Sequence, residues 1–291
     1  MSTVINTNIA ALSAQRALTS TSGQLSSALQ RLTSGLRINS AKDDAAGLAI
    51  TERLTTQVRG YQQAIRNAGD GISVAQTAEG GLDSITTSLQ RIRELAVQSA
   101  NFTNTQADRD AIQEEASELK KEIDRVADQT RFNGNRLLDG SFTNASFQVG
   151  ANVGETIVIA SIVDANTVVL GKTNFAADPV NDPPVWKYMS DVNLSSAAGA
   201  NDALQIVDSA LNTVSSARAK LGATINRFEQ TVSNLRITVE NQMASRSRVQ
   251  DADFAQETAA LTRAQILQQS GMAILGQANA IPQNVLALLR N

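Results

Sequence analysis

The sequence contains no cysteine and no histidine. Without cysteine there is no disulfide, no thiolate nucleophile and no cysteine-ligated zinc, and the redox compartment is left open. Without histidine the commonest general base and metal ligand is missing too. Aromatic residues make up only 3% of the chain, and its 42% hydrophobic content is mostly Ala, Leu, Val and Ile. That composition suits helix packed on helix more than a thick globular core. A formal charge of -3, with no dense run of Lys and Arg, argues against nucleic acid as a partner. Charge is scarcest at the two ends: the first acidic residue is Asp43, and no charged residue lies between Arg263 and Arg290. The start "MSTVINTNIAALSAQRALTSTSG" has neither a basic n-region nor an unbroken apolar run, so it does not read as a secretory signal peptide.

What is present is spacing. In the segment "QILQQSGMAILGQANAIPQNVLALLRN", Leu267, Gly271, Ile274, Ala278, Ile281, Val285 and Leu288 alternate steps of four and three. This is a heptad stripe on one helix face. A transmembrane span needs about 20 predominantly apolar residues, and the interruptions at Gln268, Gln269, Gln277, Asn279, Gln283 and Asn284 argue against one. Leu18, Ser22, Leu25, Leu29, Leu32 and Leu36 keep the same step near the start. Two low-charge amphipathic helices are therefore expected, covered either by each other or by other chains. Gly271 and Ala278 are small members of their stripe, which predicts close backbone approach to a neighbouring helix.

Between the ends the stripes are long. Leu54, Val58, Tyr61, Ile65, Ala68, Ile72 and Ala75 keep the step, and after a shift Ala78, Leu82, Ile85, Leu89, Ile92 and Ala96 resume it. Further stripes run through Ile112, Ala116, Leu119, Ile123 and Val126, and from Leu204 to Val239, broken only at Arg218. Such lengths far exceed the mean globular helix of about 11–12 residues. Proline is absent before Pro179, then clusters at Pro179, Pro183 and Pro184. Because proline inside a helix costs about 3 kcal/mol or more, that cluster marks a non-helical turn between two helical halves, and Pro282 marks a point where the last helix kinks or restarts. Just ahead of the cluster, "FNGNRLLDGSF", "ASFQVGANVGETIVIAS" and "NTVVLG" read as short strands or hairpins. The fold class is mainly α, with long antiparallel helical rods in a coiled-coil-like bundle and a small β-hairpin element.

Catalytic signals are lacking. "GKTN" at Gly171 has the wrong upstream spacing for a phosphate-binding loop. "KDD" at Lys42–Asp44 and "DAD" at Asp251–Asp253 fit helix N-caps better than a cation site. Serine-rich stretches have no base to form a triad. Neither an enzyme nor a cofactor is expected.

The stretches "RLTSGLRINSAKDDAAGLAI", "LQRIRELAVQSAN", "EIDRVADQTRFNGNRLLDG" and "DADFAQETAALTRAQILQQSGMAILGQANAIPQNVLALLR" together resemble bacterial flagellin, the subunit of the flagellar filament. The resemblance covers about residues 1–140 and 200–290 and implies a minimal form with a short central region. It implies an N-terminal inner-tube helix (1–42), a central helical rod with a β-hairpin (43–160), a short variable segment (161–198), a returning central helix (199–252) and a C-terminal inner-tube helix (253–291). Subunit packing would fall on Leu18, Leu25, Leu29, Leu32, Leu36, Leu267, Gly271, Ile274, Ala278, Ile281, Val285 and Leu288. Like charges repeated at every subunit would repel in a low-dielectric wall, which accounts for the uncharged ends. The implied partners are further copies of the chain in a helical homopolymer, a flagellar export chaperone, the hook–filament junction and cap proteins, and Toll-like receptor 5, with no nucleic acid and no membrane span. The implied destination is the flagellum outside the cell, reached by type III export. Arg91, Leu95 and Glu115 match, residue by residue, the flagellin positions that the receptor engages. The plainer reading makes Arg91 and Glu115 a solvated ion pair and Leu95 a core position. Two other classes share some of these features: a flagellin-like hook–filament junction protein, and a non-polymerising adhesin acting through Trp186 and Tyr188.

Overall fold

The structure, a computed structural model, describes residues 7–175 and 185–289, with side chains described as far as Ala280. In chain order the elements are helices α1 (Ile9–Ser34), α2 (Ala45–Ala100) and α3 (Gln106–Gln129), strands β1 (Arg131–Phe132), β2 (Asn135–Arg136), β3 (Ala145–Gln148), β4 (Thr156–Ile159), β5 (Thr173–Asn174) and β6 (Trp186–Lys187), then helices α4 (Ala197–Gln250) and α5 (Phe254–Leu289). The mainly α fold expected from the stripes is the one adopted. α2 runs unbroken through "NAGDG" and "EGG", and α5 through Pro282. The proline cluster at Pro179, Pro183 and Pro184 lies outside the described residues, as do the side chains of Ile281, Val285 and Leu288. The chain divides into two units, residues 59–239 and residues 1–58 with 240–291.

In the unit of residues 59–239, burial follows the spacing of the apolar residues. Ala78, Leu82, Ile85, Leu89, Ile92 and Ala96 of α2 are all fully buried. They share a core with Ile112, Ala116 and Ile123 of α3 and with Val207, Val214, Leu221 and Phe228 of α4. Each large side chain buried this way contributes about 1.5–3 kcal/mol, which offsets the roughly 0.5–1 kcal/mol lost at each helix-interior glycine of α2. Arg218, which interrupts the α4 stripe, turns outward to pair with Glu79 at 2.8 Å and Asp83 at 2.9 Å. The α2–α3 connection is tightly held. Thr105 and Asp108 form a reciprocal capping box at the start of α3, with the Thr105 hydroxyl donating to Asp108 at 2.7 Å. Arg109, itself buried, folds back to donate to the carbonyls of Ser99 and Asn101 at the end of α2.

The β region packs on this core. In the β1–β2 hairpin, Asn133 and Gly134 have φ of 48° and 84°, the left-handed pair that a two-residue turn requires. β3 and β4 pair antiparallel, Ala145 opposite Ile159, with Ile157 and Ile159 turned to the core. Phe147 meets Phe228 edge to face at 5.7 Å. "NTVVLG" is not the strand its β-branched residues suggested. Asn166 accepts at its carbonyl from the N–H groups of Val169 and Leu170 at 3.0 and 2.9 Å, and Asp124 takes both the N–H and the hydroxyl of Thr167, so the segment closes into a turn that leaves Val168 and Val169 exposed. Lys120 donates to the carbonyls of Ser190 and Val192, and burial pushes its pKa down.

In the unit of residues 1–58 with 240–291, α1 and α5 lie antiparallel. Asn8 caps α1 by accepting from the Ala11 N–H and donates to the Ala278 carbonyl at 2.8 Å, while at the other end Arg31 pairs with Glu257 at 3.0 Å. Gly35, with φ of 71°, ends α1 in the left-handed conformation of a C-cap, and a single bridge follows between Leu36 and Asp251. The acidic clusters are N-caps: Asp44 accepts from the Gly47 N–H at 2.9 Å, and Asp253 accepts from the N–H groups of Ala255 and Gln256.

Candidate assembly and recognition surfaces

The α1–α5 contact uses a different phase from the stripes read off the sequence. On α1 the positions turned to α5 are Ala11, Ala14, Leu18, Thr21, Leu25, Ala28 and Leu32; on α5 they are Leu261, Ala264, Gln268, Gly271, Leu275 and Ala278. Both sets alternate steps of three and four, as an antiparallel coiled-coil seam does. Leu18, Leu25, Leu32, Gly271 and Ala278 therefore belong to the seam within the chain, while Leu29, Leu267 and Ile274 are exposed beside it, and Leu36 lies past the end of α1. The cause is the size of the residues between the leucines. Ala28, Ala264 and Ala278 are buried, and a Cβ added at Gly271 would come within 3.0 Å of Leu18. The close approach predicted at Gly271 and Ala278 is thus made to the chain's own α1. Small side chains let the helices close together, and the larger ones flanking the seam are left facing outward. Ile9 and Leu12 on α1, with Phe254, Ile266 and Met272 on α5, are exposed as well. Among the described residues, no helix is long and apolar enough to cross a membrane, and no acidic cluster has the arrangement of a metal site.

The second surface is charged. Arg91 on α2 donates to Glu115 on α3 at 2.8 Å and to Glu94 at 3.0 Å. These hydrogen bonds, that to Glu115 foremost, raise the guanidinium pKa above its ordinary value. The side chains of Arg91 and Glu115 are 48% and 46% exposed. Leu95 is not on this surface. One helical turn from Arg91, it points inward and is only 1% exposed within the core. Arg91 and Leu95 diverge because α2 is covered by both α3 and α4, which leaves only a narrow outer face. Nearby, Arg93 pairs with Asp208 of α4 at 2.7 Å. The sequence reading missed this pair and also Arg31–Glu257, since spacing within one helix carries no signal for partners so distant in the chain.

A third feature is an open groove of about 920 Å³ between the segment Ile159–Val163 and the outer face of α4 from Gln205 to Thr224. Farther along the chain, Trp186 is half exposed with the Lys172 ammonium 4.3 Å from its ring centre.

The chain is similar to known proteins over most of its length. Residues 5–143 match the family described as bacterial flagellin N-terminal helical region, and residues 204–289 match bacterial flagellin C-terminal helical region. Flagellin A of Vibrio cholerae serotype O1 is 38% identical over 375 positions, covering 98% of this chain and 99% of that protein. Flagellin A of Vibrio anguillarum is 37% identical over 379 positions and covers 100% of both. Both alignments are longer than the 291 residues here, so these relatives carry stretches that this chain lacks. A putative flagellar hook-associated protein from Vibrio parahaemolyticus has the same fold, with a TM-score of 0.51 over 72% of this chain and 100% of that one, at only 15% identity. The chain belongs to the bacterial flagellin family. It is a structural subunit that polymerises into the bacterial flagellar filament for motility, and not an enzyme.

Proposed function

We propose that the outward faces of α1 and α5 are the surfaces through which this subunit packs in the filament. Large apolar side chains stand exposed beside the α1–α5 seam, and this observation carries the reading. In the polymer, Leu29, Leu267 and Ile274 would meet neighbouring copies; Ile281, Val285 and Leu288, whose side chains lie outside the described residues, are assigned to subunit packing by the resemblance alone. Leu18, Leu25, Leu32, Gly271 and Ala278 would act through the α1–α5 seam that presents those faces, and Leu36 through the turn after α1. The same apolar helix would be the segment that an export chaperone covers before type III export, and the ends of the polymer would meet the hook–filament junction and cap proteins. The full-length identity to flagellins favours a filament subunit over a junction protein. Electron microscopy of the purified chain under assembly conditions tests the reading. Filaments are expected from the full chain and none from chains lacking residues 1–40 or 255–291; filaments of normal length from either truncation would refute it.

A second role rests on the exposed Arg91–Glu115 face, which supports recognition of the free subunit by Toll-like receptor 5. Arg91 and Glu115 would make the contact, and Leu95 would hold α2 in place beneath it. Interface energy concentrates in a few such residues, at about 2 kcal/mol or more each on truncation. In receptor reporter cells Arg91→Ala should weaken the response without lowering the melting temperature of the monomer, whereas Leu95→Ala should lower both. A silent wild-type monomer, or Arg91→Ala as potent as wild type, would remove this role.

A further inference from the structure

We infer that Asn133 deamidates spontaneously and that the isoaspartate formed there unlocks the β1–β2 hairpin, a modification site that stands apart from the filament reading. The chemistry is intramolecular. The Gly134 backbone nitrogen gives up its proton and attacks the side-chain carbonyl carbon of Asn133; the bond from that carbon to the amide nitrogen breaks, ammonia leaves, and a succinimide ring closes. Water then opens the ring at one of its two carbonyls. Attack at the side-chain carbonyl gives aspartate, and attack at the main-chain carbonyl gives isoaspartate, in which the chain runs on through Cγ. The attacking nitrogen has to be unshielded, and Asn133 is the only asparagine in the sequence followed by glycine.

The hairpin tip leaves this pair free to react. Asn133 and Gly134 are exposed, and neither the Asn133 side chain nor the Gly134 N–H makes a hydrogen bond among the described residues. Beyond the adjacent residues, no atom lies within 4 Å of where a Cβ on Gly134 would stand. Bringing the reacting atoms to about 3–3.5 Å needs only rotation about bonds of Asn133, and strands of two residues each let so short a hairpin open locally at little cost. The aspartyl–glycine pairs that could close the same ring are restrained. Asp139, before Gly140, accepts from the Ser141 N–H at 3.0 Å and hydroxyl at 2.6 Å, which keep its carboxyl ionised and so a poor target for attack. Asp70–Gly71 lies inside α2, where Phe228 packs against the glycine.

The two products differ in consequence. Aspartate keeps the turn, since Asp-Gly suits the same left-handed pair. Isoaspartate adds a methylene to the main chain within a turn whose length sets Phe132 opposite Asn135 and Arg131 opposite Arg136. The same register brings the Leu137 N–H to the Thr130 carbonyl at 3.0 Å, just where the fully buried Leu137 and Leu138 anchor the hairpin to the core. Lengthening the turn therefore acts on that hydrogen bond.

The test holds the full-length monomer in mildly alkaline buffer below its melting temperature, then maps digests by mass spectrometry, with an isoaspartyl methyltransferase label to separate the two products. Isoaspartate should accumulate at Asn133 ahead of every other asparagine. Residue-resolved hydrogen exchange then compares the aged chain with freshly prepared Asn133→Asp, which carries the turn-keeping product alone. The Leu137 amide should exchange about tenfold faster in the isoaspartyl form, the equivalent of 1.4 kcal/mol, and at the wild-type rate in Asn133→Asp. A folded chain that stays amidated at Asn133 while the urea-unfolded chain reacts there has a turn that protects the site, and overturns the inference. Earlier isoaspartate at another asparagine, or wild-type protection of Leu137 in the isoaspartyl form, overturns it as well.

Discussion

Gly71→Ala should destabilise the subunit, although alanine is the better helix former. Gly71 lies within α2, and a Cβ there would sit 2.7 Å from Cζ of Phe228, with Cε1 and Cε2 at 3.0 and 3.1 Å. That ring has little room to move: it is fully buried and edge-on to Phe147 at 5.7 Å. Relieving the overlap means tilting the ring or parting α2 from α4, and overfilling a packed core costs about 1–3 kcal/mol. Against this stands a helix-propensity gain of about 0.5–1 kcal/mol, leaving a net loss of up to about 2 kcal/mol. Gly80 is the internal control. It lies in the same helix with nothing within 4 Å of its added Cβ, so Gly80→Ala should show the gain alone. Urea unfolding of the monomer, followed by far-UV circular dichroism, reads the difference as a shift in midpoint at unchanged slope. Phe228→Leu should relieve part of the Gly71→Ala penalty in a double-mutant cycle. The reasoning is refuted if Gly71→Ala is as stable as Gly80→Ala, or if the cycle shows no coupling.

Ala278→Leu should crowd the α1–α5 seam at about 1–3 kcal/mol and raise the critical concentration for assembly, while Ile274→Ser, at an exposed position, should raise that concentration and leave monomer stability within about 0.5 kcal/mol. Sedimentation of assembled polymer and monomer melting curves separate the two, and equal effects on both readouts would contradict the assignment of faces. The Asp108 carboxyl is held below its ordinary pKa by the Thr105 hydroxyl and N–H, so its contribution is present above the unfolded pKa of about 4 and is lost as pH falls through the lower folded value. The stability deficit of Asp108→Asn should accordingly be full at pH 7 and fade below about pH 4; a deficit independent of pH would contradict this. Amides of α1 and α5 should exchange rapidly in the monomer and slowly in filaments, whereas those of Ile72–Ala96 should be protected in both. Equal protection of α1 and Ile72–Ala96 in the monomer would count against coupled ordering on assembly.

The stripe from Ala78 to Ala96 was legible in the sequence because Leu and Ile mark its phase at nearly every turn, and one buried face repeats along it. The phase of α1 and α5 was not, because the seam there alternates Leu18, Leu25 and Leu32 with Ala14, Thr21 and Ala28, while other large residues such as Leu12, Leu29 and Leu267 stand exposed outside it. Reading a stripe by side-chain size alone fails where small residues hold half of the buried positions. "NTVVLG" misled for another reason: strand propensity is weak against specific hydrogen bonds, here those accepted by the Asn166 carbonyl and the Asp124 carboxylate. Of the recognition face, spacing placed Arg91 and Leu95 on one side of α2. It could not reveal that the packing of α3 and α4 divides that side into an exposed edge and a buried one. Arg109 left no periodic signal either, since its role depends on a chain reversal between α2 and α3.

The two units differ in what they leave unsatisfied. Residues 59–239 bury a continuous core, whereas among the described residues the buried hydrophobic ones of the other unit are only Ala28, Ile38, Val58, Ala264 and Ala278. Its larger apolar groups, among them Ile9, Leu12, Leu29, Ile266, Leu267 and Ile274, remain about half exposed. Full burial of such a side chain is worth about 1.5–3 kcal/mol, so each holds roughly 1 kcal/mol in reserve for a neighbour. Six of them together amount to roughly 6 kcal/mol, the same order as the 4–15 kcal/mol that association costs in lost freedom. A single neighbour that covers some of these groups therefore gains little, and a position in the polymer that covers all of them reaches the range of that cost. Large residues at every position of the α1–α5 seam, rather than leucines alternating with small residues, would have covered more of the two helices within one chain and reduced this reserve. The alanines and the glycine in the seam keep the isolated pair thin, so that the apolar surface of α1 and α5 is completed by other copies rather than by the subunit itself.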